Sequence, residues 1–268
     1  MTYQTLKVST DARGVMTVAL NRPDVRNAFN DVVIDELGLV FGKDGLATEV
    51  RAVVIKGEGP AFCAGGDLNW LKKAIDYDFN ENLKDTKKLA QMFATLNEFP
   101  KPVIGLIHGA AIGGGVGLVS VCDVVIASSE TVFSLAEVRL GVVPACIGPF
   151  VISKVGASHA RYLFVSADKI KAQRACEIGL IHEVVPAPKD LPAALEKVLE
   201  NILNGAPNAM AVAKRLVHDL TWPEKRAHYP DSLEYVAKVL ADVRISPEAQ
   251  EGLKAFLEKR KPSWLKKS

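Results

Sequence analysis

Three short apolar runs, "VRAVVIKGEG" from Val50, "PVIGLIHG" from Pro102 and "DVVIAS" from Asp123, alternate with longer stretches whose apolar residues recur at helical spacing. Runs this short, rich in β-branched residues and bounded by glycine or proline, read as buried strands. Strands that alternate with helices make the fold class α/β. The chain opens with a β-hairpin, because "LKVST" and "GVMTVAL" alternate apolar and polar residues around the turn-forming "DARG". "NDVVIDELGLVFGKDGL" from Asn30 then reads as a helix, and "LNWLKKAIDYDFNENLKDTKKLAQMFATLNEF" from Leu68 as helical. Beyond the central runs, "ASHARYLFVSA" and "KAQRACEIGLI" read as helices and "HEVVP" as a strand.

From Leu191 the pattern changes to long helical stretches without strands, "LPAALEKVLENILNGAPNAMAVAKRLVHDL" and "SPEAQEGLKAFLEKRKP". The expected organisation is therefore a core over 1–190 and a helical region over 191–268. The apolar faces of that region must bury against the body or against another subunit, so an oligomer is expected.

With 268 residues, 49% of them hydrophobic and 24% charged, the chain can bury a large core. Its apolar runs fall well short of the roughly 20 residues of a membrane span. "MTYQTLKVST" lacks the basic start and apolar middle of a secretory signal, so the expected location is cytoplasmic. A formal charge of +2 is too mild for a nucleic-acid footprint, and the basic "EKRKPSWLKK" reads as a solvated helix end and tail. The four cysteines are too far apart for a paired metal site and read as reduced thiols, so no metal is expected.

Chemistry enters through glycine. "HGAAIGGGVGL" packs five glycines into eleven residues where a strand runs into a helix, and "FCAGGD" repeats the arrangement at Gly65 and Gly66. Neither the dinucleotide order GxGxxG nor the phosphate loop GxxxxGK[ST] is present. Bare backbone at a helix start presents N–H groups and a partial positive charge to an anion. One N–H from each loop would make an oxyanion hole for the enolate or tetrahedral anion of a reacting thioester. Close packing of helix on strand is the plainer use of the same glycines.

Together, "LNRPDVRNAFN", "AFCAGGDL", "KPVIGLIHGAAIGGGVGL", "CDVVIAS", "FSLAEVRLGVVP" and "AFLEKRKP" resemble the crotonase, or enoyl-CoA hydratase/isomerase, superfamily over nearly the whole chain. The resemblance implies a spiral of ββα units with a C-terminal helical region that builds a homotrimer or a hexamer of two trimers. It implies an acyl-CoA thioester as substrate, with coenzyme A part of the substrate and no separate cofactor. It assigns the oxyanion N–H groups to Gly66 and Gly114, and the acyl-CoA channel to Arg26, Ala28, Ala64, Gly65, Asp67 and Leu68. Phe256 and Lys259 are expected at the CoA nucleotide, from a neighbouring subunit.

Hydratases of this superfamily use two glutamates, and here the corresponding positions hold Gly117 and Glu137. One carboxyl remains, Glu137, expected to activate water and return its proton in hydration of a 2-enoyl-CoA. A double-bond isomerase needs only one base, and a catalytically silent acyl-CoA binder needs none. "GGGVGL" with "AEVRLGVVPACIGPFV" is similar to bacterial methylglutaconyl-CoA hydratase-like members, which implies a branched, acidic acyl group. Arg139 and Lys72 are candidates for its distal carboxylate, although each reads more simply as a surface charge. His108 reads as a strand-end histidine with a satisfied hydrogen bond, Asp67 as a helix cap, Cys63 as core, and Cys146 as a thiol closer to the pocket.

Overall fold

A computed structural model describes residues 3–221 and 232–265. They fall into two compact units, one holding residues up to Phe99 and from Val103 to Lys197, the other Pro100–Pro102 and residues from Val198 on. The division falls inside a helix that begins at Leu191, whose first turns stay with the first unit, where Glu196 pairs with Arg13 at 2.6 Å. The last residues of the basic tail, 266–268, lie outside the described residues.

The first unit begins with the expected hairpin, β1 (Leu6–Thr10) and β2 (Val15–Leu20), in antiparallel register with Val8 opposite Val18. Helix α1 (Asp31–Gly42) follows, its first turn capped by the Asn30 side chain, which accepts the N–H of Val33. Strand β3 (Ala52–Gly57) then lies parallel to β2. The stretch read as helical holds two helices, α2 (Leu68–Ile75) and α3 (Phe79–Asn97). Asp78 restarts the helix through a capping box: its side chain accepts the N–H of Glu81, whose carboxylate accepts the N–H of Asp78. The D-x-x-E spacing of such a box interrupts a helical pattern without breaking its apolar period.

Strands β4 (Val103–Ile107) and β5 (Ala110–Ile112) lead into α4 (Gly114–Val121), and β6 (Val124–Ser128) and β7 (Val132–Ser134) follow. Helix α5 (Gly148–Ser166) contains a break at Gly156, whose φ of 73° and ψ of 161° separate it from the segment expected to start at Ala157. Strand β8 (Lys169–Lys171), helix α6 (Ala172–Glu177) and strand β9 (Glu183–Val185) complete the body. The main sheet has the order β1-β2-β3-β4-β6-β9, all parallel beyond the first pair. Every residue of β4 is buried, as a parallel strand covered on both faces requires. A second sheet, β5-β7-β8, is built from three-residue strands too short to carry a period, which is why the sequence pattern did not reveal them.

The helix from Leu191, α7 (Leu191–Asn204), leads to the helical second unit with α8 (Pro207–Thr221), α9 (Ser232–Arg244) and α10 (Pro247–Leu257). Within that unit Glu248 accepts the N–H groups of Asn208 and Ala209 at the start of α8, at 3.1 and 2.9 Å. Among the described residues no helix is long and apolar enough to cross a membrane.

Candidate active site

Three backbone segments of the first unit run side by side. Cys63 donates to Ala110 O at 3.0 Å and accepts from Ile112 at 2.9 Å, which lays the 62–64 loop along β5. On its other side Ala64 donates to Arg26 O at 3.0 Å, Phe29 to Gly65 O at 2.7 Å, and Asp67 to Phe29 O at 2.7 Å. Residues 26–29 and 63–67 thus extend the second sheet beyond β5 as a small parallel patch, bridged at Phe29–Gly66 and Cys63–Ala111. The patch explains why alanine and glycine dominate here. A Cβ on Gly115 would stand 2.8 Å from Cys63 O, and Gly65, at φ +96°, faces Ile112 O.

The donors in this patch are nearly all committed. The N–H groups of Phe29, Asp67, Ile112 and Gly113 each have a backbone acceptor, whereas those of Gly66 and Gly114 have none among the described residues. Gly114 opens α4, so its amide also lies at the positive end of that helix. These are the two amides expected to bind an oxyanion, one in each of two adjacent loops.

Glu137 begins a short 3-10 turn after β7, and its carboxyl abuts the same glycine loop. Its Oε1 lies 3.1 Å from the position that a Cβ on Gly113 would take. Its Oε2 is buried without a hydrogen-bond partner. Burial pushes the carboxyl above the ordinary glutamate range, against a weaker opposite pull from its own backbone N–H. A carboxyl so placed, with its proton affinity raised by burial, is suited to exchange a proton with a bound molecule.

The other expected residues are placed as follows. Asp67 caps α2 by accepting the N–H of Asn69, and Ala28 and Gly65 are buried in the three-segment patch with Ala64 at its partly open edge. Arg26 is exposed in a left-handed conformation at φ 51°, and Leu68 is exposed at the start of α2. Phe256 and Lys259 belong to the second unit, both exposed at the end of α10. His108 Nε2 bonds Gly59 O at 2.8 Å. Burial pushes the Cys63 thiol up to about 12, which leaves it inert, and Cys146 is raised by burial and by the Asp85 charge. Arg139 donates to Ala167 O at 3.1 Å, while Lys72 is exposed.

Several supporting residues carried no sequence signal of their own. Arg22 donates from Nη2 to Asp67 Oδ2 and from Nη1 to Ala28 O. Asn27, buried at φ 57°, donates from Nδ2 to Glu58 O and Ala61 O and accepts the N–H of Arg22. Phe29, Phe93 and Ile147 pack onto the glycines of α4.

A family profile described as enoyl-CoA hydratase/isomerase matches residues 10–267. The chain belongs to that family. Within the enoyl-CoA hydratase/isomerase family, a crystal structure of an enoyl-CoA hydratase from Shewanella pealeana superposes with a TM-score of 0.91 at 36% identity, covering 97% of this chain and 96% of the other. The 2,3-dehydroadipyl-CoA hydratase of Escherichia coli is 31% identical over 251 residues, 93% of this chain and 94% of its own. A trans-2-decenoyl-[acyl-carrier-protein] isomerase of Streptococcus mutans is 26% identical over 253 residues, 94% of each. The mixed α/β crotonase fold and enoyl-CoA hydratase/isomerase-type activity are thus established for this chain at the level of the family.

Proposed function

We propose that this enzyme adds water to, and removes it from, the Cα–Cβ double bond of a 2-enoyl-CoA, with Glu137 as its one acid/base group. The observation that carries the reading is the half-buried Glu137 carboxyl, its Oε2 buried without a hydrogen-bond partner, against Gly113 and next in sequence to the free amide of Gly114. In hydration the thioester oxygen accepts the N–H groups of Gly66 and Gly114. Ionised Glu137 takes a proton from water, the hydroxide bonds to Cβ, and the double-bond electrons move onto the thioester as an enolate. Neutral Glu137 then returns the proton to Cα on the same face, which completes syn addition of one water. A pKa raised by burial suits a group that must both take and give a proton. The scheme uses no redox cofactor or metal, and coenzyme A enters with the substrate.

The finer assignments belong to the same proposal. The acyl group is branched and acidic, of the 3-methylglutaconyl class, on the segment around Glu137; the E. coli relative named for a dehydroadipyl thioester supports a distal carboxylate. Arg26, Ala28, Ala64, Gly65, Asp67 and Leu68 line the acyl-CoA channel. Phe256 and Lys259 reach the CoA nucleotide of a neighbouring subunit in a cytoplasmic homotrimer or hexamer.

The test is hydration of crotonyl-CoA and 3-methylglutaconyl-CoA in heavy-oxygen water, followed by mass spectrometry. One solvent oxygen enters the product, and Glu137→Gln slows its entry by about 10²–10⁴-fold while leaving thioester binding nearly intact. Turnover without oxygen uptake favours the second reading, isomerisation of a 3-enoyl-CoA, in which Glu137 moves a proton from C2 to C4. That reading is favoured by one observation, the apolar packing at Gly117.

A further inference from the structure

Gly117 lies one turn of α4 beyond Gly113, because its N–H donates to Gly113 O at 3.1 Å. A side chain at 117 would therefore leave the helix one turn from the loop that the Glu137 carboxyl abuts. The space is taken. A Cβ there would stand 2.4 Å from Ile147 Cγ2 and 2.8 Å from Cε1 and Cζ of Phe93. Neither neighbour is the loose end of a flexible chain: Phe93 is 0% exposed and Ile147 3%. Phe93 is wedged between Phe29, ring centroids 6.1 Å apart, and Phe150, 6.3 Å apart. Phe29 in turn presses on Gly114, where an added Cβ would meet its ring at 2.9 Å. One row of buried apolar side chains thus backs α4 from its first residue to Gly117, and a close-packed interior resists added volume.

We propose that Phe93 and Ile147 are specificity-determining residues that hold this site to a single acid, by filling the space in which a second carboxyl would act beside Glu137. The proposal rests on the reading of Glu137 as the acid/base group. Hydration asks for a base on water and an acid at Cα, so a second carboxyl shares the work; isomerisation moves one proton and gains nothing from it. The two residues therefore set the balance between water addition and double-bond migration, and they keep Gly117 a glycine.

The test compares Gly117→Glu alone, Phe93→Leu/Ile147→Ala, and the three changes combined, assaying crotonyl-CoA hydration and 3-enoyl-CoA isomerisation on the same preparations. The combined variant raises the hydration-to-isomerisation ratio by at least about 10-fold over the unaltered enzyme, and Gly117→Glu alone does not. An equal rise in Gly117→Glu alone, or an unchanged ratio in a folded combined variant, overturns the proposal. A second arm does not depend on activity. Gly117→Ala lowers the melting temperature and Ile147→Ala added to it recovers most of the loss, whereas additive losses overturn the proposal. Failure of the hydratase reading would show instead in the unaltered enzyme, as turnover that takes up no solvent oxygen.

Discussion

Arg22 and Asp67 form an ion pair at 2.8 Å that ties the cap of α2 to the segment beside it, since the same guanidinium also donates to Ala28 O at 2.6 Å. The pair borders Gly66, whose amide is one of the two uncommitted donors. The Asp67 side chain is only 6% exposed; burial opposes its charge, but the Arg22 hydrogen bond and the Asn69 amide prevail and hold the carboxyl below the usual range. Replacing Arg22 by Met leaves that carboxylate buried without its counter-charge. The expected loss is about 2–3 kcal/mol in urea unfolding at pH 7. A depressed folded pKa contributes stability that is present above the unfolded value, about 3.9, and is lost as pH falls through the folded value. The gap between the two proteins therefore narrows when unfolding is repeated at pH 3, and an undiminished gap would refute the ion pair as its source.

Glu137 has the opposite sign. Its folded pKa is raised, so the native state holds a proton more tightly than the unfolded chain does. Stability is then greatest below the unfolded value, about 4.3, and declines as pH rises through the folded value. Glu137→Gln removes the buried charge and melts higher than the unaltered enzyme at pH 7.5, while the two converge at pH 4. The same substitution lowers kcat by about 10²–10⁴-fold. The acidic limb of the kcat profile lies above the ordinary carboxylate range. A Gln variant that melts lower at pH 7.5 would show that the carboxyl stabilises the fold.

Gly113 joins the two machineries, because it precedes the free amide and faces the carboxyl. Its φ of +51° and ψ of −115° suit glycine alone, and the methyl of Gly113→Ala would stand 3.1 Å from Glu137 Oε1. The expected cost is of order 1–3 kcal/mol in stability. Crowding the carboxyl with a methyl also desolvates it further, so the acidic limb of kcat moves to higher pH while KM changes little. Gly38→Ala in α1, with nothing within 4 Å of the new Cβ, serves as the contrast and gains up to about 1 kcal/mol.

Much of this was legible because local rules and tertiary demands agree. The hairpin and the runs that became β3, β4 and β6 each carry the period or composition of their environment. Both glycine loops were visible as bare backbone at helix starts, and Glu137 was marked by the family resemblance of the segment around it. Two kinds of fact were not visible. Asp78 splits a helix by side-chain capping while the apolar period runs on, and the three-residue strands β5, β7 and β8 exist only through their partners. Gly117 belongs to the second kind, since position alone marks it as an absent acid, whereas Phe93 and Ile147, distant in sequence, make glycine a packing requirement. Arg22 likewise gains its meaning only where the fold brings Asp67 to it, forty-five residues on.

The two proposed oxyanion glycines differ in what stands beside them, and that difference is testable. The three atoms nearest a Cβ on Gly66 all belong to Leu71, at 3.4–3.5 Å, an ordinary contact, so Gly66→Ala keeps its N–H in place. Its kcat/KM stays within about threefold of the unaltered enzyme, the range of a substitution that disturbs nothing. Gly114→Ala would set its Cβ 2.9 Å from two carbons of the Phe29 ring, which Phe93 backs from behind. Overpacking of this kind costs about 1–3 kcal/mol, and here it is relieved by tilting the first turn of α4. The amide then points away from the developing charge, and kcat falls toward the roughly 10²-fold loss of one oxyanion donor. Steady-state kinetics beside calorimetric binding of a non-reactive acyl-CoA separates the cases. A large kcat loss with binding retained in Gly114→Ala alone supports the assignment, whereas equal behaviour of the two variants would place the oxyanion elsewhere.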